Sequence, residues 1–202
     1  MRLVCERGRL MAGAQSQRPG AMGAIVGLEA EQVAELCREA SAEGIVAPAN
    51  FNTPTQTIVS GEEAAVLKLI ELAEQAGAEK AQRLRVGAAF HSELMEPIQR
   101  EMSKAMEAVS WSDPEVPLMS NAFAELQSTA DEVRTALVEQ IASPVRWVDC
   151  VRGLLERDVD AFLELGSGRV LVGLVRRVDP EVDAFSADSP KKLAKFVERA
   201  AS

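Results

Sequence analysis

The chain has 202 residues, 47% of them apolar and 26% charged, a composition that fits a folded globular protein of one ordinary domain or two small ones. Lys and Arg total 22 against 31 Asp and Glu, and the resulting net charge of −9 disfavours nucleic acid, whose phosphate backbone such a surface repels. Apolar runs stay well short of the roughly 18 residues a bilayer span needs, and the charged opening MRLVCERGRL has no apolar segment of the secretory kind, so no membrane partner is expected and the cytoplasm is the expected compartment.

AMGAIVG (21–27) predicts a short strand, and EAEQVAELCREASA then places Ala30, Val33, Ala34, Cys37 and Ala40 at the helical period before Gly44 ends it. GIVAPANFN and TQTIVSG predict two strands about a turn at Pro54, with Asn50, Asn52 and Gln56 read as polar turn residues. Ser60 followed by Glu63 predicts a capping box for a helix running to Gly77, and KAQRLRVGAA predicts a last strand. The order β-α-β-β-α-β is that of the ferredoxin-like split unit, one antiparallel sheet with both helices on one face. Beyond His91 a long helix is predicted over 93–109, then an extended DPEVPLMSN stretch, then helices from near Ser128 and from Ser143-Pro144. DAFLELG predicts a buried strand turning through GSG into the helix RVLVGLVRR, and the strand VDAFSA precedes a final helix starting at Pro190. Strands alternating with helices imply a parallel sheet and α/β layering.

Cys5, Cys37 and Cys150 are widely spaced and His91 is the sole histidine, so no zinc constellation assembles, and the cysteines are expected to be reduced and buried. His91, in AAFHSELMEP, is either a packed histidine or a general base. A nucleophile to serve is not found, because Ser16, Ser60 and Ser167 all lack a GxSxG frame and nothing beside Cys5 or Cys150 lowers a thiol pKa. GSGR at 166–169 has too few glycines and no lysine for a phosphate loop, and is read as a tight strand-to-helix turn. Arg7, among other charges, is read on its own as part of a solvated helix face.

Taken in order, RGRLM, GAMGAIVGL, NFNTPTQTIVSG, AAFHSELMEP, QIASPVRW and LELGSGRVLVGLVRR resemble successive blocks of the malonyl-CoA:acyl-carrier-protein transacylases and the acyltransferase domains of polyketide synthases. The resemblance covers nearly the whole chain. It implies an α/β fold in which a ferredoxin-like subdomain at 21–89 is inserted into an α/β-hydrolase-like core, here represented by 1–20 and 90–202. It implies malonyl transfer from coenzyme A to the thiol of an acyl carrier protein through a serine ester, with no cofactor beyond the thioester substrate. His91 would then be general base and acid, Gln140 would orient its ring, and Arg7 would grip the malonyl carboxylate. Phe90 would narrow the pocket against an α-methyl group, and Asn52 joins Arg7 and Phe90 as a substrate-binding candidate. In the family the GHSxGE nucleophile elbow and an N-terminal GQG segment precede the block matching ERGRLM. The resemblance therefore implies a truncated chain that lacks about the first third of a family-length protein and is inactive alone. Two other readings stay open, a nucleophile-free module that binds acyl carrier protein and one half of a split transferase.

Overall fold

In the computed structural model, which describes residues 2–17 and 19–200, the chain opens on helix α1 (Arg2–Gln17). Leu3, Leu10 and Ala14 recur on one face of α1, and that face packs against Met95, Ile98, Met102 and Met106, an apolar stripe running into and along α4 (Glu96–Glu107). Cys5, expected to be buried, is exposed, because it lies off this stripe; Cys37 and Cys150 are buried, and all three are free thiols.

A four-stranded antiparallel sheet follows, built from β1 (Ala21–Val26), β2 (Val46–Thr53), β3 (Gln56–Gly61) and β4 (Lys80–Arg83) in the order β2-β3-β1-β4. Helices α2 (Ala30–Ala40) and α3 (Glu63–Gln75) connect β1 to β2 and β3 to β4. The strand period of two divides the sheet into faces. Ala21, Ile25 and Val59 join Val33, Cys37, Val66 and Leu69 of the helices in one dry cluster, so both helices cover the same face. Met22, Ala24, Ala49 and Ile58 point the other way and pack under Leu84, Val86 and Phe90. Burying a side chain such as Val33, Val66 or Leu69 contributes about 1.5–3 kcal/mol.

Several local expectations are corrected here. Asn50 and Asn52 lie within β2 and the turn is confined to Pro54 and Thr55, since β2 runs on past Pro48 through two register irregularities of an edge strand. Ser60 does not cap α3: it is a fully buried strand residue whose hydroxyl has no hydrogen-bond partner among the described residues, and Glu62 is the residue that precedes the helix. The Glu62 carboxylate instead accepts from the Ile45 N–H at 2.8 Å. The fourth strand stops at Arg83 instead of reaching Ala89. The helix expected from residue 93 opens as a tight 3-10 turn, Glu93–Met95, before α4.

Gly61 lies where β3 meets the chain entering β2, and a Cβ built there would overlap the Ile45 carbonyl and the Val46 Cα. Gly61→Ala is expected to cost about 1–3 kcal/mol by overpacking. Gly8, exposed within α1 with open space around it, is the converse case, and Gly8→Ala is expected to stabilise by about 1 kcal/mol. Urea unfolding of the two variants beside the parent tests both signs.

After α4 the chain is largely irregular, with a minimal antiparallel pair, β5 (Leu118–Met119) and β6 (Leu126–Gln127). Helix α5 (Ala130–Glu139) begins with Thr129 and Glu132 forming a capping box. Helix α6 (Trp147–Leu155) starts later than Ser143-Pro144 suggested, because Val145 is used in a bridge to Asn50 of β2.

By its contacts the chain divides into two compact units, Met1–Cys150 and Val151–Ser202. The second holds β7 (Ala161–Leu165) and β8 (Asp183–Ala187), paired in parallel, with α7 (Val170–Val178) and α8 (Pro190–Ala200). Within it the Glu164 carboxylate accepts from the Val172 N–H at 2.9 Å near the start of α7. Strand β7, expected to be buried, is only partly covered, and Leu165 and Val170 are exposed. No described helix is long and apolar enough to cross a membrane.

Candidate active site

Past Arg83 the chain leaves the sheet but stays pinned to it. The Leu84 N–H donates to the Met22 carbonyl at 2.8 Å, Ala88 bridges to Pro19, and the Gly20 N–H donates to the Gly87 carbonyl at 3.2 Å. Gly20 permits this approach, since a Cβ there would sit 2.8 Å from the Ala89 side chain and 2.9 Å from the Gly61 carbonyl. The segment then turns sharply, and His91 takes a left-handed backbone with φ of 59°. Such a conformation costs a non-glycine residue on the order of 1–3 kcal/mol and persists only where surrounding contacts impose it.

One of those contacts comes from the end of α5. Carbonyls in a helix's last turn have no partner within the helix, and the Gln140 carbonyl finds its partner in His91 Nδ1 at 2.9 Å. A carbonyl can only accept, so Nδ1 carries the proton and the Nε2 lone pair is left available. The Gln140 side-chain amide folds back to donate to the Ser143 carbonyl at 3.2 Å. Two residues on, Val145 joins the edge of β2, donating to the Ala49 carbonyl at 2.8 Å and accepting from the Phe51 N–H at 2.9 Å. Sheet edge, loop, helix end and imidazole are thus tied in sequence.

The ring is half-buried, and its pKa lies below the ordinary histidine value, with burial as the main cause. Its hydrogen bond to the Gln140 main chain opposes that shift, and the positive charge of Arg7 adds to it. Arg7 is therefore within electrostatic reach of His91. It follows Leu3 and precedes Leu10 on the inward stripe of α1, half-buried, and it makes no ion pair or hydrogen bond among the described residues. The solvated side of α1 belongs to the Glu6–Arg9 ion pair. Arg7 is accordingly not a residue of the solvated face, and the helical spacing of Leu3, Arg7, Leu10 and Ala14 carried that information.

Phe90 points away from His91. It packs both on the α1–α4 cluster and on the uncovered face of the sheet, and it lines a shallow groove of about 640 Å³ with Arg83, Leu84, Arg85, Val86 and Gly87. His91 borders a separate groove of about 610 Å³, walled by Ala47 and Pro48 of β2, Glu62, Ala142 and Pro144. The structure therefore brings His91, Gln140 and Arg7 together and sets Phe90 beside them. Asn52 lies half-buried in β2, and no hydrogen bond of its side chain joins it to the others among the described residues. Ala142 and Pro144 were not anticipated as groove walls, although their place in QIASPVRW, directly after Gln140, was a usable signal.

This arrangement can take up and return a proton beside an unpaired cation. Residues 1–184 match the family described as acyl transferase domain. Over 187 residues the chain is 34% identical to the malonyl CoA-acyl carrier protein transacylase of Staphylococcus aureus (strain MRSA252), covering 92% of this chain and 61% of the relative. The corresponding protein of Haemophilus influenzae is 35% identical over 188 residues, covering 93% of this chain and 60% of the relative. Among solved structures, an acyl-carrier-protein S-malonyltransferase from Bartonella henselae superposes with a TM-score of 0.95 at 33% identity, over all of this chain and 64% of that one. A malonyl-transacylase in complex with its type II PKS acyl-carrier protein superposes with a TM-score of 0.93 at 35% identity, over 98% of this chain and 64% of that one. The chain thus spans about three-fifths of the length of the curated relatives it matches. A match over that much of its own length, by sequence and by backbone alike, places the chain in the acyl transferase domain family.

Proposed function

We propose that the chain is the histidine-bearing and arginine-bearing part of a malonyl-CoA:acyl-carrier-protein transacylase. The observation that carries this reading is the His91 ring, held through Nδ1 on the Gln140 carbonyl with Arg7 unpaired nearby. A serine hydroxyl from outside residues 1–202 attacks the malonyl thioester carbonyl while His91 Nε2 takes its proton. Collapse of the tetrahedral species breaks the carbon–sulfur bond, and the coenzyme A thiolate leaves with the proton His91 holds. The phosphopantetheine thiol of an acyl carrier protein then attacks the serine ester, giving its proton to His91, which returns it to the serine oxygen. Gln140 replaces a triad aspartate with a neutral carbonyl, fixing the tautomer without adding charge. Arg7 pairs its planar guanidinium with the free malonyl carboxylate, while Phe90, on the neighbouring groove, and Asn52, in β2, are assigned to the substrate by the family resemblance alone. That relatives matched over most of this chain carry malonyl-transacylase names, one of them in complex with an acyl-carrier protein, supports the choice of substrate and partner.

The same proposal assigns 21–89 to a ferredoxin-like subdomain and 1–20 with 90–202 to an α/β-hydrolase-like core. The sheet order β2-β3-β1-β4, with α2 and α3 on one face, supports the first assignment. The parallel β7–β8 pair supports the second.

Purified residues 1–202 given malonyl-CoA are expected to show no covalent malonyl adduct by intact mass, since no serine here stands in a GxSxG frame. Supplying the elbow-bearing segment of a relative, fused or as a separate chain, is expected to produce a malonylated serine on that segment. A malonyl ester formed on the chain by itself would overturn the proposal. Binding of acyl carrier protein without any transfer after the segment is supplied would favour the nucleophile-free module instead.

A further inference from the structure

The left-handed turn at His91 must be held by something local, because the Gln140 contact reaches only the ring. Ser92 is buried, with 3% exposure, in a stretch where a free hydroxyl would be costly. Its hydroxyl donates to the Ala89 carbonyl at 2.7 Å, across Phe90 and His91. Ala89 is itself 1% exposed and pressed against Gly20, so its carbonyl is a fixed anchor. On the other side, the Ser92 carbonyl accepts from the Met95 N–H at 2.9 Å and opens the 3-10 turn into α4. Ser92 thus ties the strand-pinned segment before His91 to the helix behind it.

We propose that Ser92 is the positioning residue of His91: its hydroxyl closes the Ala89–Ser92 turn, which fixes the left-handed backbone at His91 and so aims Nδ1 at the Gln140 carbonyl. Without the hydroxyl, a buried carbonyl loses its partner and the strained residue loses the contact that imposes the strain. The ring then turns off Gln140, and the neutral form shifts from Nδ1-protonated toward the Nε2-protonated tautomer that a free histidine side chain prefers. Ser92 itself transfers no proton to substrate. The proposal rests on reading His91 as the proton-accepting group, but its test reads the imidazole and needs no acyl transfer. Failure here would leave the transacylase reading standing.

His91 is the sole histidine, so every imidazole signal of the chain is its own. The nitrogen-15 shifts of the labelled ring report the tautomer, and the pH profile of carbethoxylation by diethyl pyrocarbonate, followed by ultraviolet absorbance, reports the protonation midpoint and access to Nε2. Ser92→Ala is expected to lose the predominance of the Nδ1-protonated form and to lower the midpoint further, because the Gln140 hydrogen bond that opposes the effect of burial is lost. Ser92→Thr, which keeps the hydroxyl, is expected to restore both. Ser120→Ala, which removes another buried hydroxyl that accepts from the Phe123 N–H, is expected to lower stability without moving either His91 readout. If Ser92→Ala does not fold, Ser92→Cys, close in size but a poorer donor, takes its place, and a shift in the same direction supports the proposal. An unchanged tautomer and midpoint in a folded Ser92→Ala or Ser92→Cys overturns it, as does a Ser120→Ala that shifts His91 equally.

Discussion

Replacing Arg7 with Ala in the enzyme completed with an elbow-bearing segment is expected to lower malonyl transfer by about thirtyfold to a few thousandfold and to leave acetyl transfer unchanged. The range follows from about 2–5 kcal/mol for leaving one member of a desolvated charge pair without its partner. The lower end suits a guanidinium that is half-buried in residues 1–202. Acetyl has no carboxylate to place, so the malonyl-to-acetyl ratio collapses with the numerator alone. Arg7→Lys keeps the charge but loses the planar fork, and should fall between parent and Ala. A guanidinium on a solvated face predicts something else, a stability change within about half a kcal/mol and no change of ratio. Measuring both thioesters on both variants decides it, and an unaltered ratio in Arg7→Ala would remove Arg7 from the site.

Removing His91, the proposed base, is expected to act on both substrates at once. His91→Ala in the completed enzyme is expected to slow malonyl and acetyl transfer alike, by about a hundredfold to ten-thousandfold. Burial holds the His91 pKa below the ordinary value, so the base form persists at neutral pH, and the acid limb of the parent's rate profile should have its midpoint below that of a free histidine. Stability follows the same linkage. The unfolded chain binds the proton more tightly than the folded one, so the contribution is fully present above the unfolded pKa and is lost as pH falls through the folded value. Urea midpoints across that acid window should therefore decline in the parent, and by less in His91→Gln, which keeps much of the bulk and cannot titrate there. Equal slopes in the two proteins would show that the ring does not titrate as its burial requires.

Much of this architecture is legible in the sequence. The apolar spacing of α2, α3 and α4, the order of strands and helices over 21–83 and the parallel pairing at the chain's end follow from periodicity and from the turn residues between them. The failures have definite physical causes. Asn50 and Asn52 look like turn residues, but an irregular edge strand accommodates them and the bridge to Val145 needs that stretch extended. Ser60 sits where a cap would, yet β3 runs through it into the buried sheet. The site was only half legible. Arg7 could be recovered from helical spacing, because a cation at an inward position implies a partner or a pocket. The Gln140 carbonyl came only through the family resemblance and not from the residues themselves, because a main-chain group has no residue-type signal and its use depends on a contact across 49 residues. The left-handed turn at His91 was equally hidden, since nothing in AAFHS announces a positive φ.

That long-range tie also governs when the site comes into being. Linking residue 91 to 140 and residue 50 to 145 closes large loops of chain, and loop closure must be met before the contacts that reward it exist. Helices α2 and α3 and the hairpin of β2 and β3 need no such closure. A nascent or partly melted chain can therefore hold most of its regular structure while His91 remains an ordinary, unaimed imidazole. The His91–Gln140 geometry is in this sense a late product of tertiary assembly: a misassembled copy keeps its helices and loses the tie that aims the ring.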